Sequence, residues 1–172
     1  MARTPAELFE YLAGLGIATR TIEHAPVFTV EEAQALRGTV PGAHTKNLFL
    51  KDKKDRLFLV VAPEEAQLEL KQLHNLIGAS GRVSFGKPDL LMESLGVTPG
   101  SVTAFAAIND TGRRVTVVLD VRLAKDATIN CHPLVNTATT TIATADLLKF
   151  LKATGHDPLI VDLPRAEGVA QL

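Results

Sequence analysis

The sequence predicts an α+β fold: a mixed, largely antiparallel sheet with helices packed around it. Three observations carry this expectation. Apolar runs at 46–50 and 57–62 flank a charged turn and read as a hairpin. Runs at 102–108 and 115–119 flank Asn109-Asp110-Thr111-Gly112, a turn sequence, and read as a second hairpin. Single helical patterns separate the hairpins, which places helices around one sheet.

The elements follow in order. Thr4-Pro5-Ala6-Glu7 opens a helix: Thr4 caps, Pro5 suits the first turn, and Glu7 completes a capping box. Leu8, Tyr11, Leu12 and Leu15 form its apolar stripe, and Gly14 or Gly16 ends it. Residues 19–23 read as a short strand. Thr29-Val30-Glu31-Glu32 repeats the capping box, and a helix runs to Arg37 before Gly38. Val60 and Val61 are adjacent, so their strand is covered on both faces. Leu68, Leu70, Leu73, Leu76 and Ile77 give a helix ending at Gly78, and residues 82–85 read as a strand. Pro88-Asp89-Leu90 starts a helix that Gly96 stops. Residues 137–143 are rich in β-branched side chains and read as a strand. Thr144 caps a last helix through Lys152, and 160–162 adds an edge strand.

Composition bounds the function. At 172 residues the chain is expected to be one domain over 1–163, with 164–172 as a C-terminal tail. Hydrophobic residues make up 46 %, enough to bury roughly 70 % of the unfolded surface. The single cysteine, Cys131, excludes internal disulfides and a cysteine zinc cluster, and fits a reducing, cytoplasmic compartment. Met1-Ala2-Arg3-Thr4-Pro5 leads into an amphipathic pattern and does not read as a signal peptide. No apolar run approaches the ~20 residues that span a bilayer. A net charge of −1 argues against non-specific nucleic-acid binding, but allows a grip on the end of a nucleic acid. Lys51, Lys53, Lys54 and Arg56 cluster on one turn, and Arg113 and Arg114 on another. These are either solvated hairpin tips or a shallow phosphate-facing rim.

Three segments carry polar groups or backbone amides where packing does not ask for them. In Thr45-Lys46-Asn47 a lysine opens a strand; its ammonium either snorkels into water or meets an anion. Asn47 points to the other sheet face if the strand is regular. Gly96-Val97-Thr98-Pro99-Gly100-Ser101 is a tight turn, either a plain helix stop or a nest of amides for an anion or a polarised carbonyl. In Asn130-Cys131-His132-Pro133-Leu134-Val135-Asn136, His132 is either a satisfied structural histidine or a group that orients a ligand amine or ester, and Cys131 reads as a small buried side chain. Glu31-Glu32 and Glu64-Glu65 read as surface helix starts. There is no Gly-x-Ser-x-Gly elbow, no lysine-bearing phosphate loop and no His-x-x-x-His spacing among the five histidines. No metal or cofactor is expected.

The stretches His44-Thr45-Lys46-Asn47-Leu48-Phe49-Leu50, Gly96 to Thr103, Ala107-Ile108-Asn109-Asp110 and His132-Pro133-Leu134-Val135-Asn136-Thr137 together resemble the free-standing prolyl-tRNA editing (ProX) family of the YbaK superfamily. The resemblance runs from the first helix to Asp162. It implies the YbaK/prolyl-tRNA synthetase-associated domain fold, with a curved, barrel-like sheet. It also implies hydrolysis, in trans, of the ester in mischarged alanyl-tRNA(Pro). In that reading Lys46 engages the tRNA end near the ester, Gly100 opens a loop whose amides meet the aminoacyl carbonyl, and His132 shapes the aminoacyl pocket. Asn47, Ser101, Thr45 and Asn136 contact substrate. Where the family loop has proline this chain has Ala104. The implied partner is the acceptor end of tRNA(Pro), with prolyl-tRNA synthetase or an elongation factor as protein partners and a monomer or homodimer as the unit. Alternatives are the same fold acting on another mischarged tRNA, such as cysteinyl-tRNA(Pro), and a non-catalytic module that binds tRNA or amino acids.

Overall fold

The computed structural model describes residues 2–26 and 30–165. Helix α1 (Pro5–Gly14) begins with the capping box the sequence predicts: Glu7 N–H donates to Thr4 Oγ1 at 3.2 Å and Thr4 N–H to Glu7 Oε1 at 3.0 Å. Strand β1 (Arg20–Glu23) follows, then helix α2 (Val30–Thr39). The capping box expected at Thr29 lies outside the described residues. Strands β2 (Ala43–Lys51) and β3 (Leu57–Pro63) form the first hairpin, and every residue of β3 is buried. Helix α3 (Leu70–Ile77) ends on Gly78 in the left-handed conformation. Strand β4 is only Ser84–Phe85, and helix α4 (Pro88–Leu95) ends at Gly96. Glycine is required there twice over. Its φ is +66°, and an added Cβ would stand 2.8 Å from the Asn109 side-chain amide.

The second hairpin does not form. Residues 104–108 are all buried and make a 3₁₀ helix, Ala104–Asn109, capped by the Thr103 hydroxyl. A run with no polar alternation suits burial on all sides as well as it suits a strand, so its pattern did not separate the two. Strand β5 (Val115–Asp120) therefore pairs not with it but with β3, in parallel. A short helix α5 (Val121–Ala124) leads to β6 (Thr128–Cys131), which the sequence did not reveal, and β7 (Ala138–Ala143). Helix α6 (Thr144–Ala153) begins at Thr144 rather than after it. That hydroxyl donates to the Asp126 carbonyl instead of capping. Strand β8 (Leu159–Val161) lies beside β5. Beyond it, Glu69 N–H donates to the Pro164 carbonyl at 2.8 Å.

The strands form one mixed sheet in the order β1-β7-β6-β2-β3-β5-β8, with β4 also on β2. Among the described residues four pairings are antiparallel and three parallel. Two apolar clusters cover opposite faces. One joins Phe49, Leu57, Leu59 and Val61 to Leu8, Leu12, Phe105 and Phe150. Phe105 and Phe150 meet edge to face at 5.5 Å. The other joins Leu50, Phe58, Val60 and Ala62 to Leu73 and Ile77. The charged hairpin tip is organised from within. Burial pushes the Asp52 carboxyl up, but hydrogen bonds from Ser80, Arg56 and Lys54 outweigh it and hold it at about 2. No helix among the described residues is long and apolar enough to cross a membrane.

Candidate active site

The sheet has a seam. Strands β2 and β6 run parallel through only two paired positions, Ala43 with Ile129 and His44 with Asn130, and then diverge. Asn130 fastens the seam. Its buried amide donates to the carbonyls of Pro41 (3.1 Å) and Ala43 (3.2 Å), and its Oδ1 accepts from the Thr141 hydroxyl. Where the strands part, a cavity of about 190 Å³ opens, lined by His44, Thr45, Glu64, Asn130, Cys131, His132, Thr139 and Leu36. That is below the roughly 300–1,000 Å³ of sites for drug-sized ligands, and suits a small head group.

His132 is the wall's principal titratable group. Its Nδ1–H donates to the Ala138 carbonyl at 3.1 Å, which fixes the tautomer and leaves Nε2 as an acceptor. Burial lowers its pKa, with His24 acting in the same sense. The Ala138 bond and Glu64 oppose that shift without cancelling it. Thr45 Oγ1 donates to the Asn130 carbonyl at 2.8 Å and lies 3.8 Å from Cys131 Sγ. Burial pushes the Cys131 thiol up to about 12, so it is not a nucleophile.

The other expected residues divide. Because β2 pairs regularly with β3 from Thr45 to Lys51, Lys46 and Asn47 face opposite sides. Thr45 faces the cavity. Lys46 lies on the other face, half-buried, and its ammonium donates to the Ala66 carbonyl. Burial lowers the Lys46 pKa, against the opposing charge of Glu65. Asn47 shares the Thr45 face, and its buried Oδ1 has no hydrogen-bond partner among the described residues. Gly100 lies in a 3₁₀ turn, Pro99–Ser101, packed on the loop after β6: an added Cβ would stand 3.2 Å from the Asn136 amide. The Ser101 amide is engaged by the Thr98 carbonyl at 2.9 Å, so it is not an outward donor. Ala104 is buried at the first position of the next 3₁₀ helix. The structure thus brings Thr45 to His132 and Gly100 to Asn136, and Lys46 is not among the residues that line the cavity.

Glu64 is not the surface helix start that the sequence suggests: it lies in a turn, and the next helix begins at Leu70. It directly follows the buried β3, its N–H donates to the His44 carbonyl at 2.9 Å, and it lines the cavity. An acid placed immediately after a wholly apolar strand was the available signal. Thr139 gave none. It reaches the cavity only through the pairing of β7 with its neighbours. Among the described residues, no group of three or more His, Cys, Asp or Glu side chains is placed to hold a metal ion.

Residues 24–150 match the aminoacyl-tRNA editing domain family, and they include the whole cavity wall. The chain belongs to that family. It is 46 % identical over 157 residues to prolyl-tRNA synthetase associated domain-containing protein 1 of Danio rerio, covering 90 % of this chain and 85 % of the relative. It is 37 % identical over 143 residues to the prolyl-tRNA editing protein ProX of Acetoanaerobium sticklandii, covering 83 % and 87 %. A crystal structure described as a candidate trans-editing enzyme for prolyl tRNA synthetase superposes with a TM-score of 0.70 at 18 % identity, covering 96 % of this chain and all of that one, which shows the shared fold. The fold class the sequence predicts, a mixed sheet with helices around it, is therefore that of trans-editing domain structures, without the second hairpin expected within it.

Proposed function

We propose that this editing-domain chain acts in the cytoplasm as a trans-acting deacylase that hydrolyses the ester of mischarged alanyl-tRNA(Pro). The observation that carries this reading is the cavity: small, walled by a neutral His132, and without an activated nucleophile. An aminoacyl ester needs none. Water adds to the ester carbonyl, the C–O bond to the terminal ribose breaks, and the ribose oxygen takes up a proton, leaving alanine and tRNA(Pro). The protein contributes orientation and polarisation. In this reading the Gly100 turn and the Asn136 loop are assigned to the carbonyl, and rejection of proline to misfit of its ring in the aminoacyl pocket. Prolyl-tRNA synthetase is the natural partner, since that enzyme charges tRNA(Pro).

Lys46 serves this site as a positioning residue, holding the segment after β3 that carries Glu64 by its bond to Ala66. Lys46→Ala removes a charged hydrogen bond of roughly 1.5–3 kcal/mol. We expect kcat/KM to fall about ten- to a hundredfold if the contact matters in the transition state. The decisive assay compares hydrolysis of alanyl-tRNA(Pro), prolyl-tRNA(Pro) and alanyl-tRNA(Ala). The first should be cleaved fastest and the second spared. Faster release of another aminoacyl group, such as cysteine, would reassign the specificity, and no turnover on any substrate would refute the enzyme.

A further inference from the structure

The Gly100 turn sits in the stretch between α4 and β5, where the hydrogen bonds on either side of it are short-range. Ser101 N–H donates to the Thr98 carbonyl at 2.9 Å, and Ala106 N–H to the Thr103 carbonyl at 3.1 Å. What spans the stretch is Asn109, the last residue of the buried 3₁₀ helix. Its Nδ2 donates to the Leu95 carbonyl at 2.9 Å, across 14 positions of sequence. Its Oδ1 accepts from the Arg3 N–H at 2.8 Å. One side of the amide meets a carbonyl and the other an N–H, so its orientation is fixed. Leu95 is wholly buried at the end of α4, and Asn109 supplies a donor to one of the carbonyls that a helix end leaves unpaired. The surroundings are tight. A Cβ added at Gly96 would stand 2.8 Å from Asn109 Nδ2 and 2.8 Å from the Ala2 methyl carbon, so the N-terminal segment, the end of α4 and the end of the 3₁₀ helix meet at one point. The next residue, Asp110, is anchored as well, by the amides of Arg114 (3.1 Å) and Val115 (2.8 Å).

We infer that Asn109 is a positioning residue: its amide clasps the loop from Leu95 to Asn109 at its base, braced by Arg3, and so sets where the Gly100 turn stands against the Asn136 loop. The inference rests on the deacylase reading for the chemical task of that turn, and on the hydrogen bonds alone for what holds it. The turn has little slack, since a Cβ on Gly100 would stand 3.2 Å from Asn136 Nδ2. Rate is sensitive to such placement: a shift of about 1 Å away from the chemistry costs up to roughly a hundredfold.

The test uses the full chain and two substitutions. Asn109→Asp keeps the shape and the acceptor for Arg3, but sets a carboxylate oxygen against the Leu95 carbonyl. Arg3→Pro keeps Asn109 and removes the N–H that it accepts. Hydrolysis of alanyl-tRNA(Pro) is measured at a temperature where thermal melting shows each protein folded. Asn109→Asp should lower kcat at least about tenfold, with KM within about twofold of the wild type. Arg3→Pro should lower kcat by about two- to fivefold. In the RNA-free proteins, the NMR amide signals of Gly100 and Ser101 should move in both variants, while those of His132 and Thr139 stay. A folded Asn109→Asp protein with wild-type kcat, a rise in KM alone, or unmoved Gly100 and Ser101 signals would overturn the inference. If the wild type cleaves no aminoacyl ester, the deacylase reading fails, and the amide signals still decide what holds the turn. If Asn109→Asp does not fold, Arg3→Pro decides by the same two readouts.

Discussion

His132 is held between two opposing influences. Its ring must keep Nδ1–H on the Ala138 carbonyl, and burial must keep Nε2 unprotonated if it is to accept from substrate. Because its pKa lies below the usual histidine range, the neutral form persists to lower pH. The acid limb of a pH–rate profile should therefore turn over below about 6.5. The same shift works against stability in acid. Between about 6.5 and the lower native pKa the unfolded chain binds the proton more readily, so stability falls as pH drops through that window. A limb with its inflection above 7 would show that His132 is not the titrating group. His132 stands out in the sequence as a histidine set before proline and between asparagines, and it lines the cavity. Glu64 shows in the sequence only as an acid directly after an apolar strand; its neighbours on the wall are brought to it by strand pairing rather than by sequence proximity.

At the scale of elements, local chemistry was the readable part. The capping box of α1, the β2–β3 hairpin and the glycine stops of α3 and α4 are each specified within a few residues. The parallel pairings were not readable, because their partners are remote: β3 with β5, β2 with β6, β5 with β8. The 3₁₀ helix Ala104–Asn109 replaced the strand expected there, and it reframes Ala104. That residue occupies the first helical position after Thr103, whose extended backbone (φ −156°, ψ 153°) is what a following proline requires. Ala104→Pro should therefore preserve the fold and modestly raise deacylase turnover by stiffening the turn beside Gly100. Thermal melting and single-turnover hydrolysis would check this; a slower enzyme with an unchanged Tm would mean that the loop must move. Overpacking is the competing effect, since Ala104 is fully buried, and it would appear as a lower Tm.

Across the whole molecule, the two apolar clusters are joined through one sheet, and a polar lock closes the end remote in sequence from the site. His156 donates to Asp110 Oδ2 at 2.9 Å, with both side chains almost wholly buried (1 % and 3 % exposed). Asp110 also accepts from the amides of Arg114 and Val115. His156→Ala removes a buried hydrogen bond to that carboxylate and should cost roughly 1.5–3 kcal/mol, measurable by urea unfolding with the m-value unchanged. The seam beside β6 has a different consequence. Cys131, the chain's single thiol, sits inside the cavity wall with its sulfur almost fully protonated at neutral pH. Alkylation by iodoacetamide must then wait for an opening of the wall that exposes the buried sulfur. Its rate becomes a clock for breathing of the sheet, and an occupied cavity should slow that clock.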